Sequence, residues 1–90
     1  MFKVEFSDFF KKQYKKIIRN NQILEKRVDT ALMKLGEDPE LVSHKVGTVW
    51  SCRVTGDLRI IWEYKKGELV LLLLKIGGHS GSKNVYRKQL

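Results

Sequence analysis

The spacing of apolar residues changes twice along this chain, from strand to helical period and back, and those changes restrict the fold more than any other feature. From Phe10 to Leu35 they recur at helical intervals: Phe10, Tyr14, Ile17 and Ile18, then Leu24, Val28, Ala31, Leu32 and Leu35. From Val49 onward the period is two. Trp50, Cys52 and Val54 alternate with Ser51, Arg53 and Thr55, and Leu58, Ile60, Trp62 and Tyr64 alternate with Arg59, Ile61 and Glu63. A shorter alternating run, Phe2, Val4 and Phe6, precedes the helical stretch. Helices and strands segregated in this way make an α+β fold, with amphipathic helices covering one face of a sheet.

The boundaries carry their own signals. Ser7 offers an N-cap oxygen, and Asp8 suits the positive end of a helix dipole. Asn20 and Asn21 interrupt the helical pattern and can cap a second helix, which Gly36, followed by Asp38 and Pro39, brings to an end. The stretch from there to Thr48, holding His44 and Lys45, reads as a surface loop. Gly56 and Asp57 join two strands, Lys65 to Glu68 makes a second turn, and Glu68 to Ile76 is the nearly continuous apolar run of a strand buried on both faces. Gly77 and Gly78 then release a polar, basic tail from His79 to Leu90. The expected order is β-α-α-β-β-β plus a C-terminal tail. Two N-terminal helices pack on a four-stranded, mostly antiparallel sheet, and residues 1–90 form a single domain.

Register decides what the middle hairpin presents. If Val54 faces Leu58, then Trp50, Cys52, Val54, Leu58, Ile60 and Trp62 share one apolar face, whereas a slip of one residue mixes Arg59 into it. The first register places Arg53 opposite Arg59 on the other face. Two guanidinium groups so placed repel each other unless an anion sits between them.

Charge narrows the partner class. Eighteen lysines and arginines against ten acidic residues give a formal net charge of +8, which points to polyanions. The lone Cys52 and the lack of a charged-then-apolar leader suggest a reducing, cytoplasmic setting. The longest apolar run, Leu69 to Leu74, is too short to cross a bilayer. Two histidines and one cysteine show no metal-ligand spacing, and neither a nucleophile elbow nor a phosphate-binding glycine loop is present, so no metal or cofactor is expected.

The phrase Leu35-Gly36-Glu37-Asp38-Pro39, the run from Trp50 to Trp62, and the closing Ile76-Gly77-Gly78-His79 with Asn84-Val85-Tyr86-Arg87 resemble the RelE/ParE toxins of bacterial toxin–antitoxin pairs, over essentially the whole chain. The RelE-like branch of that family cuts messenger RNA without a metal, commonly in the ribosomal A site, and each member is silenced by a cognate antitoxin. The ParE-like branch shares the fold and poisons DNA gyrase. By this resemblance Arg59 contacts the scissile phosphate, His79 is a general acid or base, and Tyr86 stacks on a base or assists proton transfer. Arg53 and Asp57 stand where the YafQ-like subgroup has His and Asp, and His44 lies near another of its histidines. Lys45, Lys75, Lys83 and Arg87 are expected to add RNA contacts. The implied partners are an antitoxin, messenger RNA and the 16S ribosomal RNA region of the ribosome.

Metal-free RNA cleavage needs a base for the 2′-hydroxyl, a cation on the phosphate and an acid for the leaving 5′-oxygen. Imidazole titrates near neutrality, and a guanidinium binds two phosphate oxygens while staying charged. The resulting expectation is an RNA groove on the sheet face opposite the helices. A ParE-like gyrase inhibitor and a non-catalytic RNA-binding module remain the alternatives.

Overall fold

The computed structural model describes residues 2–78, which form two helices on one face of a five-stranded mixed sheet. Strand β1 (Lys3–Phe6) leads into helix α1 (Asp8–Ile18) and helix α2 (Gln22–Glu37). Strands β2 (Ser43–Val46), β3 (Val49–Arg53), β4 (Leu58–Tyr64) and β5 (Val70–Gly78) follow. The strand order is β1-β5-β4-β3-β2, with β1 parallel to β5 and the other pairs antiparallel.

Both helix starts are capped as their sequences require. The Ser7 Oγ accepts from the Phe10 N–H at 3.0 Å and donates to the Leu74 carbonyl at 2.9 Å, so one hydroxyl starts α1 and ties it to β5. Asn21 accepts from the Leu24 N–H at 3.0 Å, while Asn20 takes the left-handed φ of 55° that reverses the chain between the helices. Gly36 does not end α2. The helix runs one residue further and closes on the Asp38 N–H, which donates to the Lys34 carbonyl at 2.9 Å. The Gly36 carbonyl instead accepts from the Phe2 N–H at 2.8 Å, fastening the start of β1 to the end of α2.

The core lies between the helices and the sheet. Phe10, Val28 and Leu35 from the helices meet Ile60, Trp62, Leu71, Leu73 and Ile76 from the strands, all at most 1% exposed. In β5 the inward residues are Leu71, Leu73 and Ile76, a step of three where strand period demands two. The bulge explains this: Ile61 pairs with Lys75 and Trp62 with Leu73, so Leu74 is extra and Ile76 returns to the core face.

Three features depart from the sequence reading. The segment read as a surface loop contains β2, which makes the sheet five-stranded rather than four-stranded. Its four residues, Ser-His-Lys-Val, lack alternation, and the strand is held by its ladder to β3 and by the Trp62 Nε1–H, which donates to Ser43 Oγ at 2.9 Å. A two-residue turn, Gly47-Thr48 with Gly47 at φ 63°, closes this hairpin. Finally, Gly77 and Gly78 do not release the chain but continue β5, opposite Arg59 and Leu58.

Candidate functional site

Strand alternation sorts the candidate residues before any distance is considered. Cys52, Ile60 and Ile76 face the helices, so Arg53, Arg59 and Gly77 form one cross-strand row on the opposite face. The next row, along the same face, is His44, Ser51, Ile61 and Lys75. A third row, Glu63, Leu72 and Glu5, follows, with Lys65 Nζ 3.3 Å from Glu5 Oε1 and 3.9 Å from Glu68 Oε2. Arg53, Arg59 and Lys75 thus gather toward one end of this face, with Asp57 in the turn beyond them, while Glu5 and Glu63 lie toward the other end beside Lys65.

Arg53 and Arg59 are direct cross-strand partners, as the hydrophobic register requires. Like charges in that position destabilise a sheet. Arg53 is exposed, but Arg59 is only 8% exposed, and its Nη1–H donates to the Thr55 carbonyl at 3.0 Å. Thr55 is itself fixed by the β3–β4 turn, since its Oγ1 accepts from the N–H groups of Leu58 at 3.0 Å and Asp57 at 3.3 Å. On the other side of Arg59, its cross-strand partner is Gly77, which presents no side chain. Sequence reasoning missed Thr55, although a hydroxyl residue opening a Thr-Gly-Asp turn is a recognisable turn signal.

The structure brings together some of the other candidates and separates the rest. His44 is exposed and shares the arginine face, diagonal to Arg53 across β2 and β3. Lys75 is half-buried in the His44 row, and Asp57 lies in the turn two residues before Arg59. Lys45 points to the helix side instead, where its Nζ lies 5.8 Å from the centre of the Trp50 ring. Adjacent residues of a strand cannot share a face, so Lys45 is set apart from the arginine row. His79, Tyr86, Lys83 and Arg87 lie outside the described residues.

This face is also less open than the expected groove. Ser51 and Ile61 are 0% and 3% exposed, whereas Arg53 and His44 are exposed and Lys75 and Glu5 half-buried. Cys52 is buried on the helix side, and burial pushes its thiol up, which keeps it neutral and a poor nucleophile. Among the described residues, no three His, Cys, Asp or Glu side chains converge as metal ligands. No described helix is long and apolar enough to cross a membrane.

The chain is similar in fold to several solved toxins. A metal-bound toxin from Helicobacter pylori superposes with a TM-score of 0.69 at 28% identity, over 88% of this chain and 96% of that one. A RelBE toxin–antitoxin complex from Mycobacterium tuberculosis gives 0.70 at 18% identity, over 86% and 96%. A YoeB/ParE toxin from Agrobacterium tumefaciens gives 0.72 at 15% identity, over 87% and 99%. No curated protein matches the chain. The family model described as the ParE toxin of type II toxin–antitoxin system, parDE, matches residues 4–82. With nearly its whole length matched by that model and its fold shared with these toxins, the chain belongs to the ParE toxin family of type II toxin–antitoxin systems.

Proposed function

We propose that this toxin is a metal-independent endoribonuclease that cuts messenger RNA, in the ribosomal A site, and that an antitoxin protein silences it in the cytoplasm. The observation that carries this reading is the in-register Arg53–Arg59 pair. A fold gains nothing from two guanidinium groups set against each other, whereas a phosphodiester between them turns repulsion into two charge-assisted contacts. Arg59, held by Thr55, is ready for the charge that gathers on the phosphoryl oxygens, and Arg53 supplies the exposed contact. Similar folds occur in toxin–antitoxin complexes, including DinJ–YafQ from E. coli and YoeB–YefM from Staphylococcus aureus.

In the reaction, a base takes the 2′-hydroxyl proton and that oxygen attacks phosphorus. The 5′-oxygen then leaves with a proton from an acid, giving a 2′,3′-cyclic phosphate and a 5′-hydroxyl. His79 is the proposed proton-transfer group, with Tyr86 stacking on a base. His44, exposed on the arginine face, is a second imidazole within one row of the phosphate position.

The test is to map RNA ends in a cell-free translation reaction. New ends inside translated codons, carrying a cyclic phosphate, are expected with the native chain. Removing one transition-state stabiliser typically costs on the order of 10²–10³ in rate, and Arg59→Ala should show a loss of that size. The family's ParE name favours one rival, a gyrase inhibitor without nuclease chemistry. Intact messenger RNA together with induction of the DNA-damage response on expression would replace the first reading with that one.

A further inference from the structure

Strand β1 accompanies β5 only as far as Leu73, the partner of Phe6, and Leu74–Gly78 run on with no described strand on that side. An edge of this kind carries backbone groups that must find partners elsewhere. Side chains of α1 meet two of them. The Ser7 Oγ donates to the Leu74 carbonyl at 2.9 Å, and the Gln13 Oε1 accepts from the Ile76 N–H at 3.1 Å. The second contact falls just past the bulge, where β5 regains its register with β4 after the extra residue Leu74. Ile76 is 0% exposed, so Gln13 satisfies an N–H that solvent does not reach.

What this bond holds is the stretch beside the arginine row. Ile76 pairs with Ile60, the next residue Gly77 pairs with Arg59, and Gly78 pairs with Leu58. Two consecutive glycines weaken a strand end, since they lose the most conformational freedom on ordering and bring no side chain to pack. Register there bears on the chemistry because His79, the proposed proton-transfer group, follows Gly78 directly in the sequence. A slip of one residue along β5 moves the point from which residue 79 starts by about 3.3 Å and turns it to the other face of the sheet. Proton transfer, by contrast, works between heavy atoms only about 2.6–3.2 Å apart. We propose that Gln13 is a positioning residue for RNA cleavage: from the helix layer it fixes the end of β5 against β4, and so sets the point, beside Arg59, from which residue 79 starts. The proposal rests on the nuclease reading of the arginine row and adds to it a residue on a different element.

Three variants of the full chain test this. Gln13→Leu removes the acceptor at similar size, Gln13→Glu keeps an oxygen at the same reach, and Gln13→Asn keeps the amide on a stem one methylene shorter. Cleavage of a message on programmed ribosomes is followed for kcat and KM, and amide hydrogen exchange is read at Ile76, Gly77 and Gly78. Misplacement by about 1 Å is worth on the order of 10² in rate, so Gln13→Leu and Gln13→Asn should lower kcat by about that factor with KM within about twofold. Both should also speed exchange at those three amides ahead of the rest of the sheet, and Gln13→Glu should restore rate and protection together. Undiminished kcat in folded Gln13→Leu or Gln13→Asn, a loss carried by KM or matched by the fraction unfolded, or a Gln13→Glu chain as slow as Gln13→Leu would overturn the proposal and leave the nuclease reading standing. A native chain that leaves the message intact would overturn both, and no variant is needed to see it.

Discussion

If Arg53 and Arg59 are held together for an anion, neutralising one of them should stabilise the free protein while it damages function. Arg53→Gln is the informative change, because it keeps a polar, hydrogen-bonding side chain at an exposed position and removes the charge facing Arg59. Paired residues on adjacent strands have Cα atoms about 4.5–5.5 Å apart, and long side chains can splay to place guanidinium centres near ~7 Å. Two unit charges at that separation repel by about 0.6 kcal/mol at the dielectric of water and about 2.4 kcal/mol at an effective dielectric of 20. Arg53 is in solvent, so the lower end applies, and a gain of about 0.5–1 kcal/mol at low salt is the expected outcome. For a domain of this size that is a rise of about 2–8 °C in Tm. At 0.15 M salt the screening length is about 8 Å, comparable to the separation, so the gain should fall to roughly half or less.

The assay is thermal unfolding of both proteins at low and high salt, repeated with inorganic phosphate at matched ionic strength. Phosphate that binds the pair raises the Tm of the native chain by mass action and does so less for Arg53→Gln. The same variant should lose RNA cleavage, since a residue that costs stability and supports activity is the signature of a site rather than of a scaffold. A Tm that is unchanged or lower at low salt, or a gain indifferent to salt, would refute the idea that these two groups share a space intended for an anion.

Three further outcomes follow from single contacts. Ser7→Ala removes the α1 cap and the link to Leu74, and should cost about 1–2 kcal/mol in denaturant melts. Ser43→Ala deprives the fully buried Trp62 indole of its acceptor at a cost of about 1–3 kcal/mol, and amide exchange in β2 should speed up with it. Burial, and then Glu40 beside it, push the Tyr64 phenol up to about 12 from 10.0. A raised folded pKa gives stability that is whole below pH 10 and lost toward pH 12, so the native chain should weaken across that window more steeply than Tyr64→Phe.

The helices were legible because their signals are local. The stripe from Leu24 to Leu35 needs only a 3.6-residue period, and Ser7 and Asn21 announce themselves as caps. Strand β2 was not legible, because Ser43-His44-Lys45-Val46 offers no alternation and owes its conformation to a ladder with β3 and to the Trp62 indole, both distant in sequence. Its nearest local sign was the turn pair Gly47-Thr48 between two valines. Gly36 misled for a related reason. Glycine often marks a helix end, but here Gly36 lies one residue inside α2 and its carbonyl accepts from the Phe2 N–H, a tertiary contact with no local sign. The fifth strand and the parallel β1–β5 pairing are tertiary choices, decided by which elements reach the core together.

The site divides along the same line. The Arg53–Arg59 pairing could be read from sequence because a slip of one residue would put a charge among Cys52, Ile60 and Trp62, so the apolar set fixed the charged one. Alternation tells which face a residue takes, but it does not tell what covers that face. Ser51 and Ile61 therefore came as buried members of a surface expected to be open. That burial changes the chemistry assigned to Arg59. Arg59, a residue 8% exposed with its guanidinium tied to the Thr55 carbonyl, has already given up most of its water, so an arriving phosphate meets a donor whose desolvation was settled during folding. Arg53, still hydrated, must give up water when the phosphate binds. Two arginines facing each other across one strand boundary are thus unequal: Arg59 is prepared by the fold, Arg53 is recruited by the ligand, and neutralising Arg59 should therefore cost more in rate than neutralising Arg53.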